Sequence, residues 1–321
     1  PWPKMPPPTP MSQAPNAKGA AKAADKVPPS DRLDAAKAAA PAPSEAGGCW
    51  NCSVETADKL EQMFVGIVQT RRIALGQTPA KRPVFLKPHG IAHGRFEIVP
   101  GLPANLTVGV FAGKSFPTWV RFSSDTLPSL TDLKTTMGIG IKLFDVIGPK
   151  LLGDGTTQDF LLQNNDVFFV DTAKDFCEFT RAGVVEGDYE PYLRTHPKTR
   201  RILKEMEKVE GSCLTTTYWS GLPYRLGLLE CKYKLEPESV PDHVAPSDAP
   251  DYLATDLRTR LLKGEARFRF MVQLRTNKAT MPIDEATVRW PESESKPIHV
   301  ATLVQPKQDI CAQGQPEFGE K

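Results

Sequence analysis

The sequence predicts an α+β protein with an antiparallel β-barrel core, or a strongly curled sheet, and surrounding helices. Three observations carry that prediction. From Gly94 onward the apolar residues fall in runs of strand length bounded by Pro, Gly and Asp. The connections between these runs are short, which suits antiparallel neighbours. Helical patterns then separate an early group of strands from a late one.

Residues 1–48 come first in chain order and are dominated by Pro, Ala, Lys and Ser, with almost no large apolar side chain after Met11. Such a segment cannot bury enough surface to offset its ordering entropy, so it reads as a disordered tether to a domain over 49–321. Leu60, Met63, Phe64, Ile67 and Val68 recur at helical spacing, which predicts one amphipathic helix over Glu55–Ala74. Strands are expected at Phe96–Val99, Val108–Phe111, Trp119–Ser123, Ile139–Val146, Phe160–Leu162 and Val167–Val170. Helices follow around Lys174–Ala182, Lys198–Val209 and Tyr252–Leu262. Strands return at Leu226–Leu235, Ala266–Arg275, Thr287–Trp290 and Val300–Val304. No internal repeat and no glycine-rich phosphate loop occurs.

With 321 residues, 40% of them hydrophobic, the chain has enough apolar material for a buried core. Its 40 Lys and Arg against 38 Asp and Glu leave a net charge of +2, without the basic excess of a nucleic-acid or membrane-surface binder. No apolar run approaches the roughly 18 residues of a bilayer-spanning helix. Of the six cysteines, Cys49 and Cys52 form one close pair with no second pair to complete a zinc site, leaving redox, metal and disulfide roles open. Cys177, Cys213, Cys231 and Cys311 read as buried thiols. Residue 1 is Pro rather than Met, so a processed, trimmed or partial chain is expected, and the compartment stays open.

Between Arg82 and Gln308 a series of motifs appears in order. Gly94-Arg95-Phe96-Glu97-Ile98 is followed by Gly109-Val110-Phe111 and by Val120-Arg121-Phe122-Ser123-Ser124. Next come Gly138-Ile139-Gly140-Ile141-Lys142-Leu143-Phe144 and the long segment from Gln158 to Asp171, which contains Asn164. Tyr218 to Gly227, Phe270 to Gln273, Met281 to Trp290 and Val300 to Leu303 complete the series. The ordered set resembles the catalase superfamily, particularly its smaller bacterial and fungal members.

That resemblance implies haem (haem b) as cofactor and hydrogen peroxide or an organic, lipid-type hydroperoxide as substrate. It places Asn164 where an uncharged amide hydrogen-bonds the bound peroxide. Arg82 and Arg121 fall where forked cations pair with the haem propionates. Ser123 falls at the serine that contacts the distal His, and Phe176 could lie over the porphyrin. Homo-oligomers are common among such relatives.

Three departures bear on the chemistry. Phe85 stands where the distal His is expected, and a phenyl ring transfers no proton. General acid or base catalysis is typically worth about 10² to 10⁴ in rate, so His89, four residues on, becomes the candidate for proton transfer. Lys134-Thr135-Thr136-Met137-Gly138 replaces an arginine-rich turn. No tyrosine has an Arg four residues before it, and Leu214 stands at that offset from Tyr218, so no metal ligand is identified and a ligand segment missing by truncation is expected. Loss of both groups leaves a second expectation, a non-catalytic barrel retained for binding or interaction.

Overall fold

The structure, a computed structural model, describes residues 52–78, 80–150, 153–239, 246–312 and 314–315. The tether assigned to 1–48 lies outside them, as does Cys49. Nine strands are present: β1 (Lys87–Ile98), β2 (Ser115–Ser124), β3 (Met137–Phe144), β4 (Thr157–Gln163), β5 (Tyr218–Trp219), β6 (Tyr224–Leu226), β7 (Leu229–Pro237), β8 (Ala266–Leu274) and β9 (Ile298–Gln305). Neighbouring strands run antiparallel in the order β5-β4-β3-β2-β1-β9-β8-β7-β6.

The short strand β5 closes the barrel. It pairs with β4 through Gln163 and Trp219, and with β7 through Tyr218–Leu235 and Trp219–Lys234. Eight strands thereby form a ring with no open edge between them. The ninth, β6, extends the free half of β7 as a hairpin whose partners include Leu226 and Leu229. Its two-residue loop begins with Gly227 at φ 59°, a conformation that favours glycine at the first loop position.

Strand alternation sorts the side chains. In β2, Phe116, Thr118, Val120 and Phe122 are buried while Trp119 and Arg121 are only half-buried. In β3, Ile139, Ile141 and Leu143 join the main core, and in β4 Phe160 and Leu162 do so. The core centres on Phe96, Phe111, Phe160, Tyr233 and Phe270, with ring centroids 4.8–6.4 Å apart, the range of favourable edge and offset aromatic packing.

Helix α1 (Thr56–Glu61), a π-helical stretch (Gln62–Gln69) and α2 (Thr70–Ala74) run as one continuous helical segment, matching the helix expected over Glu55–Ala74. Helix α3 (Ala173–Arg181) opens with a capping box in which Thr172 and Asp175 satisfy each other's backbone N–H groups. The first segment docks on α3, where Met63, Cys52 and Cys177 are buried together, and on the stretch that follows it, where Arg71 donates to the Val184 carbonyl. Helices α4 (Glu190–Thr195), α5 (Pro197–Met206) and α6 (Tyr252–Lys263) follow, and α6 packs on β1.

Three expected strands are absent. Val108–Phe111 instead enters a short 3₁₀ helix, Gly109–Ala112, which carries Phe111 into the aromatic core. Both edges of β1 are already taken by β2 and β9, so the apolar run plugs the barrel rather than pairing with it. Val167–Val170 packs in a satellite cluster with Ile202 and Met206 of α5. Thr287–Trp290 is irregular and is fixed by side chains: Asp171 accepts the Thr287 N–H at 3.0 Å, and Trp290 Nε1 donates to the Pro282 carbonyl at 3.1 Å. Short buried apolar runs look alike in strands and in packed loops, which is why periodicity misassigns them.

The cysteine reading also changes. Cys52 is bonded to Cys177, so Cys177 is no free thiol, and Cys311 is exposed; Cys213 and Cys231 are buried thiols as expected. Among the described residues no group of three or more His, Cys, Asp or Glu is arranged to hold a metal ion, and no helix is long and apolar enough to cross a membrane.

Candidate functional site

A cavity of about 700 Å³ lies on the outer face of β2, β3 and β4. Its position follows in part from the alternation described above: outward residues of these strands face it, and Val120, Ile139, Ile141 and Leu162 of the core also border it. Gly138 and Gly140 contribute no side chains, which leaves the outer surface of β3 low, while Phe144, Leu161 and Trp119 supply apolar walls. Arg82, Arg121 and the ion pair of Lys142 with Asp159, at 2.7 Å, add the charge.

Phe85 covers part of this surface. Its ring lies so close to Gly138 that a Cβ there would meet it at 2.5 Å, so the glycine is what admits the ring. Phe85 has φ 50°, a left-handed conformation costly for a bulky residue, and it is held from both sides. Its N–H donates to Asp125 at 3.2 Å, and its carbonyl accepts from Arg121 Nη2 at 3.0 Å. The carbonyls of Arg82 and Pro83 accept from Arg72 of α2 at 2.9 and 3.2 Å, which fixes this rim to the helical segment. Ser123 lines the cavity, and its hydroxyl donates to the Gly138 carbonyl at 3.4 Å.

Asn164 is fully buried and does not line the cavity. Its Oδ1 accepts the Met137 N–H at 2.9 Å, and its Nδ2 donates to Glu210 at 3.3 Å. The amide thus clamps the start of β3 to the end of β4. Phe176 is placed elsewhere, among Phe64, Phe168 and Phe169 at 5.6–6.0 Å. The structure therefore brings together Arg82, Phe85, Arg121 and Ser123, but not Asn164, His89 or Phe176.

His89 occupies the β-bulge between Pro88 and Gly90 of β1 and is buried. Its Nε2 lies 2.6 Å from the Ser124 hydroxyl, and its Nδ1 lies 4.0 Å from Asp132 Oδ1. Asp132 pairs with Lys87 at 2.5 Å and accepts the Leu253 N–H at the start of α6 at 3.0 Å. Burial pushes the imidazole down to about 4; Asp132 opposes the shift, while Lys87 and Arg121 add to it. His89 is consequently neutral at physiological pH and reaches the cavity wall only through Ser124, the neighbour of Ser123.

This burial predicts a pH dependence. The unfolded chain, with imidazole near its usual value of about 6.5, binds more protons than the folded one between about pH 6.5 and 4. Stability should fall as pH is lowered through that window, by up to about 3 kcal/mol. Urea unfolding at pH 7.5, 5.5 and 4.5 should show a smaller acid loss for His89→Gln than for the parent. Equal losses would mean that the folded protein does not hold this imidazole neutral.

Leu161 and Phe144 were read only as parts of motifs and Glu210 not at all, so none was singled out as a site residue. The alternation Gly138-Ile139-Gly140-Ile141 is the one signal that could have marked β3 as the bare wall of a cleft.

The barrel, its order of strands and its flanking helices define a catalase-type fold. Solved structures of a fungal catalase (TM-score 0.56, 18% identity, 74% of this chain and 53% of that one) and of catalase A from Saccharomyces cerevisiae (0.58, 16%, 74% and 55%) are similar. A bacterial catalase gives a TM-score of 0.57 at 16% identity, covering 84% of this chain and 56% of its own. The catalase-related peroxidase of Mycolicibacterium paratuberculosis is 27% identical over 181 residues, 50% of this chain and 55% of that protein. The solved structures share this fold and the curated relative is similar over half of this chain, so together they support a likeness to the catalase superfamily. The chain spans about half the length of these relatives, and no family model matches it.

Proposed function

We propose that this chain seats a haem on the outer face of β2–β4 and serves a catalase-like oxidoreductase acting on hydrogen peroxide or an organic hydroperoxide. The observation that carries this reading is the cavity itself: about 700 Å³, lined mostly by apolar residues and glycines, with Arg82 and Arg121 among them. Pockets of roughly 300–1,000 Å³ suit ligands of this size, and two guanidinium groups suit a pair of carboxylates. The curated relative named a catalase-related peroxidase supports the same reaction class.

The lining fits the macrocycle and its propionates. None of the lining residues is Tyr, His, Cys or Met, so they supply no ligand to the iron. When bound, haem would supply the redox chemistry of peroxide cleavage. The chain's own residues would do the rest. Arg82 and Arg121 hold the propionates, and Phe85 and Leu161 exclude water. The Phe85 ring favours an apolar hydroperoxide over hydrogen peroxide, because it offers contact area and no proton. Asn164 and His89 act behind the wall, Asn164 fixing β3 against β4 and His89 orienting the Ser124 hydroxyl.

A second reading, a barrel kept for binding without turnover, is favoured by one observation: both polar ends of the Asn164 side chain are already engaged by Met137 and Glu210. Titration of the full chain with haemin, followed at the Soret band, tests the site. Saturable binding is expected, weakened about tenfold in Arg121→Ala, since a charge-assisted hydrogen bond contributes about 1.5–3 kcal/mol. No band, or unaltered affinity in the folded variant, would defeat the assignment. With haem bound, turnover of cumene hydroperoxide separates the enzyme from the binding protein.

A further inference from the structure

A second, smaller cavity of about 230 Å³ opens where β7 meets the irregular segment ending in Trp290. Trp219 and Trp290 form its aromatic walls, and Lys232 of β7, Asp166 and Glu292 line it. Lys232 points away from the barrel core and is nonetheless buried. Its ammonium lies 5.4 Å from the centre of the Trp290 ring. Its hydrogen bonds go to the carbonyls of Asp166 and Val288, at 3.4 and 3.3 Å, both long for an N–H···O contact.

The charged groups around Lys232 are committed elsewhere. Arg289 grips the Asp166 carboxylate with two nitrogens, and Lys234 holds Glu292 at 2.9 Å. Among the described residues no carboxylate lies within ion-pair distance of Lys232. A buried ammonium with only weak carbonyl partners loses much of its preference for the charged form. Burial accordingly lowers the amine to about 8; Asp166 opposes the shift and Arg289 adds to it. A substantial fraction is neutral near physiological pH and therefore nucleophilic. The walls are also preset, because Gln273 donates to the Trp290 and Ser295 carbonyls at 3.3 and 3.1 Å and Trp290 Nε1 donates to Pro282.

We propose that Lys232 is a covalent capture site for small aromatic aldehydes, which slide between Trp219 and Trp290 and form an imine on its Nζ. The neutral amine attacks the carbonyl carbon, forming the C–N bond as the C=O π pair moves to oxygen. That oxygen takes up a proton released by the nitrogen. The nitrogen lone pair of the carbinolamine then forms the C=N bond as the C–O bond breaks, and the departing hydroxide leaves as water with the second nitrogen proton; addition of water reverses the sequence. No oxidant or reductant is consumed. A cavity of this size, below the usual range for drug-sized ligands, admits one small ring system. The site is separate from the haem cavity and does not rest on it.

The test uses the full chain, 4-hydroxybenzaldehyde and sodium cyanoborohydride, which traps imines as stable secondary amines. Peptide mapping by mass spectrometry should find Lys232 labelled at least about tenfold faster than exposed lysines such as Lys174 and Lys198, with half-maximal rate near pH 8. Lys232→Arg, shown to be folded by circular dichroism, should lose this fast phase and keep the slow surface labelling. Propanal, which cannot stack on indoles, should show much less preference for Lys232. Labelling of Lys232 no faster than the surface lysines, a rate rising only above pH 10, or equal preference for propanal would overturn the proposal.

Discussion

Asp132→Ala will destabilise the protein by about 3–5 kcal/mol, the usual cost of removing one partner from a buried ion pair. Asp132 is 1% exposed and bonds Lys87 at 2.5 Å and the Leu253 N–H at 3.0 Å, with His89 Nδ1 at 4.0 Å. Once it is gone, the buried Lys87 ammonium keeps only the carbonyls of Leu130 and Pro250. The first turn of α6 simultaneously loses an acceptor that satisfies one of its unpaired N–H groups. Because the penalty arises from the stranded charge, the double substitution Asp132→Leu with Lys87→Met should be milder than Asp132→Ala alone. Equilibrium urea unfolding measures both; a single variant within about 1 kcal/mol of the parent would contradict the account.

Phe270→Ala should cost a similar amount, about 3–5 kcal/mol, by opening a cavity at the centre of the barrel. Its ring meets Phe96 at 5.0 Å, Phe160 at 4.8 Å, Tyr233 at 5.3 Å and Phe111 at 6.1 Å. These neighbours come from three other strands and from the 3₁₀ plug, so no local movement can refill the space. Phe270→Leu should fall between parent and Ala. Thermal and chemical unfolding both report the order, and an Ala variant as stable as the Leu variant would show that the aromatic cluster collapses into the gap.

The barrel was legible because its strands read as short apolar runs bounded by Pro, Gly and Asp and joined by short connections. A period of two in β2, β3 and β4 separates core from surface without knowledge of any partner, and the motif series supplied the resemblance to the catalase superfamily. Arg82, Phe85, Arg121 and Ser123 were named from the catalase resemblance, and the fold gathers all four along one cavity. Asn164 and Phe176 were placed by motif alone, and motif spacing does not reveal what a side chain bonds. The Asn164 amide is taken by Glu210, 46 residues away in sequence, a pairing that only the closed barrel brings about. Val167–Val170 and Thr287–Trp290 were misread because local apolarity does not distinguish a strand from a packed irregular segment. The Lys232 cavity was invisible for a further reason: its tryptophans are 71 residues apart (290 − 219) and meet only after folding.

The bond between Cys52 and Cys177 has a reach well beyond the two segments that it joins. From Cys177 on α3 a covalent path crosses to Cys52, runs along the helical segment to Arg72, and ends in hydrogen bonds to the backbone of Arg82 and Pro83 at the cavity rim. The outer cleft is thereby braced like a bracket fastened at its far end. Its cationic lip is thus tied, through Arg72, to a disulfide that lies outside the cavity lining.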